Sequence, residues 1–485
     1  MSGILTVRSP FDGHVICEFR LAGEKEIEQA VSKAYSLFRN PGRWLAKYQR
    51  IELLEKLAIL MENQVEELAR IAAEEGGKPY RDSKVEVLRA INGVRIAIAE
   101  LYSMHGEEIP MGMTAASVNR LAFTTREPIG VVLAISAFNH PLNLIIHQVI
   151  PAIATGCPVI VKPASSTPAS CFNLVRLLYD AGLPEDYCTS LVCSRDLAEK
   201  LAADPRIGFL TFIGSHEVGW RLRSILAPGT RVALEHGGVA PVIVDKSADM
   251  DLLVPAIAKG GFYHAGQVCV SVQKVFAHQD LARPFAEKLA AEASKLKVGD
   301  PLDPQTDVGP MIAESEVVRV NEWVEEAVRS GAELVTGGSI NSKFQIPNSK
   351  QIQNLKLKTK NFLSSYSPTV LFSPPPDARV STQEVFGPVI CVYPFKEFRD
   401  AISKANSLRY AFQASVFTKD IDMALETAQK LNASAVMIND HTAFRVDWMP
   451  FGGRDASGIG TGGIPYSMHE MTRVKMIVMK STGLH

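Results

Sequence analysis

The amino-acid sequence predicts an α/β protein in three parts, two sheet-and-helix domains and an added β-arm. Three observations predict it. From Val131 to Glu235, short runs rich in Val, Ile and Leu alternate with helical stretches, the pattern of a parallel sheet covered on both faces. The same alternation restarts at Val242 and runs to about residue 438. Two remaining segments read as extended with no adjacent strand to pair with: 111–127, with two-residue alternation, and the strand 474–480.

Size and charge agree. A chain of 485 residues exceeds one ordinary core. Hydrophobic residues at 46% and charged residues at 21% are an ordinary globular balance. A formal net charge of -1 gives no electrostatic reason to expect nucleic acid or an anionic membrane as partner. The first eight residues lack a basic start followed by a long apolar run, and runs such as 129–137 are too short to span a bilayer. A soluble, cytoplasmic protein is expected. The seven cysteines (Cys17, Cys157, Cys171, Cys188, Cys193, Cys269 and Cys391) are scattered, against a disulfide framework. With no C-x-x-C pair and no H-x-x-x-H, no metal site is expected.

Taken in order, residues 1–20 read as a hairpin or arm around Pro10 and Gly13. From Glu24, Ile27, Ala30, Val31, Ala34 and Phe38 fall on one helical stripe. A long helical region follows from Trp44 to Glu75, closed by Gly76-Gly77-Lys-Pro79, then a helix from Ser83 to about His105. Strands are predicted at 131–135, 158–162, 190–193, 208–212 and 231–235, with helices at 142–154, 169–181, 196–203 and from Ser215. After a boundary at Gly237-Gly238, helices are predicted at about 250–264, 280–296 and 313–330, and strands near 242–245, 273–278, 388–394, 413–417 and 434–438. The strand 474–480 is left to pair with the 111–127 arm or with another subunit. Residues 339–367, polar and without apolar period, read as a surface insertion.

Parallel sheets bind ligands beyond the carboxyl ends of their strands. Asn139, Lys162, Gly214 and Glu235 all stand at or just past such ends. Cys269, in Gly266-Gln-Val-Cys-Val-Ser271, offers a thiol, and Gly266 would let backbone approach a substrate. By itself the motif fits a buried structural thiol as well. Glu235, at a strand tip before His236-Gly237-Gly238, suits a general base or a helix cap. Asn139 could donate to a developing oxyanion or start a turn. Gly214-Ser-His-Glu-Val-Gly219 opens a helix whose N–H groups could face a pyrophosphate, but it lacks the Lys-Thr sequel of a P-loop. Gly458-Ile-Gly-Thr-Gly-Gly463 satisfies G-x-G-x-x-G and is rejected as a dinucleotide fingerprint, since too little chain follows for a βαβ unit.

Together the segments Glu127-Pro-Ile-Gly-Val131, Asn139-His-Pro-Leu142, Val161-Lys-Pro-Ala164, Phe212-Ile-Gly-Ser215, Leu234-Glu-His-Gly-Gly238, Gly266-Gln-Val-Cys269, Glu384-Val-Phe-Gly-Pro388 and Pro450-Phe-Gly-Gly453 resemble the aldehyde dehydrogenase superfamily across nearly the whole chain. The resemblance implies a Rossmann-type cofactor domain (1–108 and 129–236), an α/β catalytic domain (237–462), and a bridging arm (109–128 and 463–485) through which homodimers or homotetramers form. It implies oxidation of an aldehyde to its acid, with Cys269 as nucleophile, Asn139 as oxyanion donor and Glu235 as general base. Members that pass the acyl group to coenzyme A tend to lack this glutamate. Coenzyme A acylation is therefore the second reading, and a scaffold without turnover the third.

The resemblance further implies NAD or NADP as cofactor. Ser136 belongs to the cofactor set, Lys162 and Ser165 face the adenosine ribose, Gly214 and Ser215 lie near the pyrophosphate, Glu384 meets the nicotinamide ribose, and Phe386 packs near the ring. Where strict NAD users often carry Glu, this chain has Ser165, which removes the repulsion of a 2′-phosphate. NADP is thus expected to be accepted. Ile213, Phe138 and His236 depart from the usual Thr, Trp and Leu. His140 and Arg445 are the substrate-side candidates, which tilts the expectation towards a small aldehyde bearing a carboxylate, phosphonate or sulfonate. The competing reading pairs Arg445 with Asp447 or another carboxylate.

Overall fold

In a computed structural model, residues 3–340 and 364–484 are described. The first domain is built on a six-stranded sheet in the order 458–459, 231–235, 207–213, 131–135, 159–162, 188–190. Its strands are parallel except Gly458–Ile459, which runs antiparallel to Arg231–Glu235. Those two residues, assigned from sequence to the second domain, thus close the edge of the first sheet. The chain enters at the centre with Val131–Ile135, builds outward to Cys188–Ser190, then returns to the other side of the centre. The strand order reverses between Val131–Ile135 and Ile207–Ile213, and a crevice opens at their carboxyl ends.

The helix Asn143–Thr155 is buried along its whole length. Its apolar residues have sheet on one side and the helix Tyr80–Ser103 on the other. Its polar residues therefore need protein partners. Gln148 Nε2 donates to the carbonyls of Ile135 and Thr211, both at 3.1 Å, tying together the two strands that flank the crevice.

The second domain carries a seven-stranded sheet in the order 333–336, 369–372, 389–395, 274–278, 241–244, 413–417, 435–438, antiparallel only at the first pair. It has its own core around Phe262, Phe285, Trp323 and Phe417. The arm is a three-stranded sheet. Thr472–Lys480 pairs antiparallel with Arg120–Pro128, in register from Thr472 opposite Pro128 to Lys480 opposite Arg120, and Glu108–Ile109 adds a third strand. The partner of the last strand is therefore the arm of the same chain.

Several boundaries differ from expectation. The helical region after Trp44 is two helices, Lys47–Glu62 and Val65–Gly76, broken at Asn63-Gln64. The strand expected at 190–193 is Cys188–Ser190. The strand Thr369–Phe372 and the helices Phe398–Ala405, Ile421–Lys430 and Ile464–Glu470 were not anticipated. Most of the expected insertion lies outside the described residues, but at its end Ser364, Ser365 and Tyr366 are buried. Among the described residues no helix is long and apolar enough to cross a membrane.

Candidate active site

A cavity of about 600 Å³ lies between the two sheets. Ser136, Gly214, Ser215 and Phe386 line one end, and Asn139, His140, Cys269 and Arg445 the other, with Glu235 and Glu384 also on its wall. Of the residues expected from sequence, only Lys162 and Ser165 are missing from the lining. They stand just beyond Ala164, which does line it.

Cys269 is half-buried, on the turn before the strand Lys274–His278. Gly266 is needed there for a reason other than substrate approach. Its φ is +68°, and a Cβ would sit 2.1 Å from the carbonyl oxygen of Gly387. Glycine lets the thiol's turn press against the loop that carries Glu384 and Phe386. Burial pushes the thiol up to about 12; Arg445 opposes the shift while Glu235 and Glu384 add to it. The backbone N–H of Cys269 stands at its own sulfur and favours the thiolate.

The Glu235 carboxylate accepts no hydrogen bond among the described residues, while the residue's backbone carbonyl accepts the Gly214 N–H at 3.1 Å. Burial raises its pKa, and the nearby Arg445 pulls the other way. Asn139 does not cap the helix that follows it. Glu86 does, accepting the N–H groups of Leu142 and Asn143 at 2.9 Å each. That frees the Asn139 amide, whose Nδ2 donates to the Gln267 carbonyl at 2.9 Å and is thereby held two residues from Cys269. Neither histidine brings charge to the site. Burial lowers the pKa of His140 well below its usual value, and its Nε2 lies 3.3 Å from the Tyr263 hydroxyl. His236 is buried, with Nδ1 donating to the Ala456 carbonyl at 3.0 Å and its ring edge-on to Trp220 and Phe212.

The far end fits a dinucleotide. The Ser136 hydroxyl is buried without a partner. Ser215 precedes the helix His216–Ile225, whose first N–H groups suit a pyrophosphate. The Glu384 carboxyl accepts the Gly238 N–H at 3.2 Å, and burial pushes it up to about 8. A Cβ at Gly237 would overlap that carboxyl, at 1.6 Å from Oε1. The Phe138 and Phe386 rings meet edge to face, centroids 5.9 Å apart.

Sequence reasoning missed three residues. Arg195, which opens the helix Arg195–Ala202, lines the cavity and makes no ion pair among the described residues. Arg89, from the long helix Tyr80–Ser103, also lines it and grips Asp447 with Nη2 at 2.7 Å and Nε at 3.1 Å. His147 donates to the same carboxylate at 2.8 Å. Asp447 is thus fully engaged and does not pair with Arg445, contrary to the competing reading of that arginine. Arg445 is packed with its Cζ 3.5 Å above the Phe451 ring, its Nε buried and unpartnered.

The model of the aldehyde dehydrogenase family matches residues 2–477. The chain belongs to that family. It is 38% identical over 463 residues to a 3-sulfolactaldehyde dehydrogenase of Priestia aryabhattai, covering 95% of this chain and 92% of that one. Its structure resembles aldehyde dehydrogenase 21 of Physcomitrella patens in complex with the product succinate, with TM-score 0.91, 34% identity and 99% and 96% of the two chains covered. It also resembles an NADP-complexed glyceraldehyde-3-phosphate dehydrogenase of Methanocaldococcus jannaschii, with TM-score 0.89, 33% identity and 99% and 100% coverage. This aldehyde dehydrogenase uses NAD or NADP to oxidise a small aldehyde to its carboxylic acid.

Proposed function

We propose that this enzyme acts on a small aldehyde bearing a sulfonate, phosphonate or carboxylate group, and that Cys269, Glu235 and Asn139 carry the chemistry. One observation carries the reading. Arg445, a half-buried guanidinium with its Nε sealed from solvent and no ion pair among the described residues, lines the same cavity as Cys269 and Glu235. A largely desolvated cation without an ion pair is costly unless a ligand supplies a charge beside it. The 3-sulfolactaldehyde dehydrogenase relative places sulfonate first among the candidates.

In this reading, the Cys269 thiol loses its proton to solvent as its sulfur adds to the aldehyde carbon and the carbonyl pair moves onto oxygen. The second N–H of the Asn139 amide and the Cys269 backbone N–H hold that oxyanion. A dinucleotide held by Ser136, Gly214, Ser215, Glu384 and Phe386 would supply the hydride acceptor, and once the hydride has left the carbon a thioester remains on Cys269. Glu235, ionised, draws a proton from water as the water oxygen adds to the thioester, and the Cys269 thiolate leaves. The half-buried carboxylate suits this duty, because burial raises its basicity and no protein donor competes for it.

The test compares kcat/KM for 4-oxobutanoate or 3-oxopropane-1-sulfonate with that for butanal. Arg445→Ala lowers the anionic-to-neutral ratio by about 10- to 100-fold, the range lost with a charge-assisted hydrogen bond. Equal losses on both substrates refute anion recognition by Arg445.

On the cofactor side, Ser136, Gly214, Ser215, Glu384 and Phe386 hold the dinucleotide in this proposal. Lys162 and Ser165, which lie outside the cavity lining, and Arg195 meet a 2′-phosphate at the cavity's edge. Lys162 and Arg195 follow neighbouring strands, and neither makes an ion pair among the described residues. The NADP complex of the Methanocaldococcus relative supports this. Arg195→Ala raises KM for NADP by roughly 3- to 10-fold and leaves KM for NAD unchanged. An equal change for both cofactors removes Arg195 from this role.

The arm supports assembly with further copies of the chain into a homodimer or homotetramer, since Val474, Met476, Ile477, Val478 and Met479 are exposed on its last strand.

A further inference from the structure

We infer that His147 is a specificity-determining residue, holding Arg445 through a neutral lone pair so that the guanidinium charge stays available to an anionic substrate. The inference rests on the preceding reading of Arg445 and adds to it the reason that charge is uncompensated.

His147 is buried on the helix Asn143–Thr155, one turn after Asn143. Its Nε2 is 2.8 Å from Asp447 Oδ1, and its Nδ1 is 3.3 Å from Arg445 Nη2. The chemistry of the two neighbours assigns the ring's proton. An arginine only donates, and an ionised carboxylate only accepts. Nε2 must therefore carry the hydrogen given to Asp447, while Nδ1 accepts from Arg445. An imidazolium would place an N–H against the guanidinium and lose that bond. Burial and the Arg445 charge agree, lowering His147 to about 4 against the pull of Asp447.

The charges then separate cleanly. Asp447 is matched by Arg89 through two hydrogen bonds and takes further bonds from His147 and from Asn143 Nδ2 at 3.2 Å. Burial by itself would raise the Asp447 carboxyl, but these partners hold it well below the usual carboxylate range. That leaves Arg445 held by a neutral nitrogen on one side and by the Phe451 ring beneath it. Neither contact cancels its charge, and Glu235, the strongest opposing charge it feels, makes no ion pair with it among the described residues. A carboxylate at position 147 would do so, converting an anion site into an internal ion pair. The helix supplies the rigidity, since it is buried on every face and cannot let the imidazole drift.

The experiment measures kcat and KM for 4-oxobutanoate and butanal in His147→Gln, His147→Glu and His147→Leu, beside Arg445→Ala. Glutamine can donate to Asp447 and accept from Arg445, so His147→Gln keeps the wild-type anionic-to-neutral ratio within about 3-fold. His147→Glu lowers that ratio by about 10- to 100-fold, through KM for the anionic aldehyde, while kcat on butanal holds. His147→Leu releases Arg445 and lowers the ratio in the same direction. Butanal turnover and the melting temperature report folding, and should the glutamate variant fail to fold, the leucine and glutamine variants decide. A folded His147→Glu or His147→Leu enzyme with the wild-type ratio overturns the inference. If Arg445→Ala loses the preference and the His147 variants keep it, only the role of His147 falls. If Arg445→Ala also keeps it, the reading of Arg445 falls first.

Discussion

Cys269→Ser abolishes aldehyde-dependent NAD(P)H formation, with a loss of about 10⁴-fold or more. The substitution changes one atom. The packing of Val268, Val270, Phe412 and Phe451 around the turn is kept, so the melting temperature is expected to stay within a few degrees of the parent. What disappears is the nucleophile. Burial already holds the thiol at about 12, and only Arg445 and the local backbone N–H favour its ionised form. A serine hydroxyl in the same surroundings is far harder to ionise and a poorer leaving group from the acyl intermediate. Stoichiometric alkylation gives a parallel readout. Five of the seven cysteines are buried, so iodoacetamide should reach only Cys269 and the half-buried Cys17, and inactivation should track the first. Turnover within tenfold of the parent in Cys269→Ser would exclude it as the nucleophile.

Glu235→Gln separates the two halves of the reaction. The variant releases about one NAD(P)H per active site and then slows by about 10²- to 10⁴-fold, because the amide cannot draw a proton from the water that hydrolyses the thioester. The pH profile supplies the sign. Burial raises the folded pKa of Glu235, so the base form, and with it the rate of hydrolysis, is lost as pH falls through that raised value. The glutamine variant loses this acid limb. Alkylation of Cys269 moves the other way. The Glu235 charge pushes the thiol up, so its removal lowers the thiol pKa and speeds reaction with iodoacetamide at neutral pH. Slower steady turnover with faster alkylation is the expected pair. A lost burst with unchanged alkylation would remove Glu235 from the thiol's surroundings.

Much of the architecture is legible in one dimension because strand and helix periods are local. The buried run Val131–Ile135 and the wholly apolar face of the helix after it are visible as residue types at fixed spacing. So is the placement of Asn139, Gly214 and Glu235 at strand ends. The misses are of two kinds. Ile421–Lys430 had a local signal that was passed over, since Asp420 accepts the N–H groups of Asp422 and Met423 as an ordinary helix cap. The closure of the first sheet by Gly458–Ile459 had none, because two residues carry no strand period.

Within the site, the candidate residues could be named from sequence, because strand ends and the ordered motifs of the family resemblance are both read along the chain. The company each charge keeps could not. Arg89 and His147 meet Asp447 across 358 and 300 residues of chain, and nothing near Arg445 in sequence says that its neighbour at Asp447 is already taken. Hydrogen-bond partners and burial set the charge of an ionisable group, and both arise only once distant segments pack. The sequence therefore determined the fold class and named Cys269 and Glu235 as candidate nucleophile and base, and the folded chain alone decided that Asp447 is taken by Arg89 and His147 and leaves Arg445 without an ion pair among the described residues.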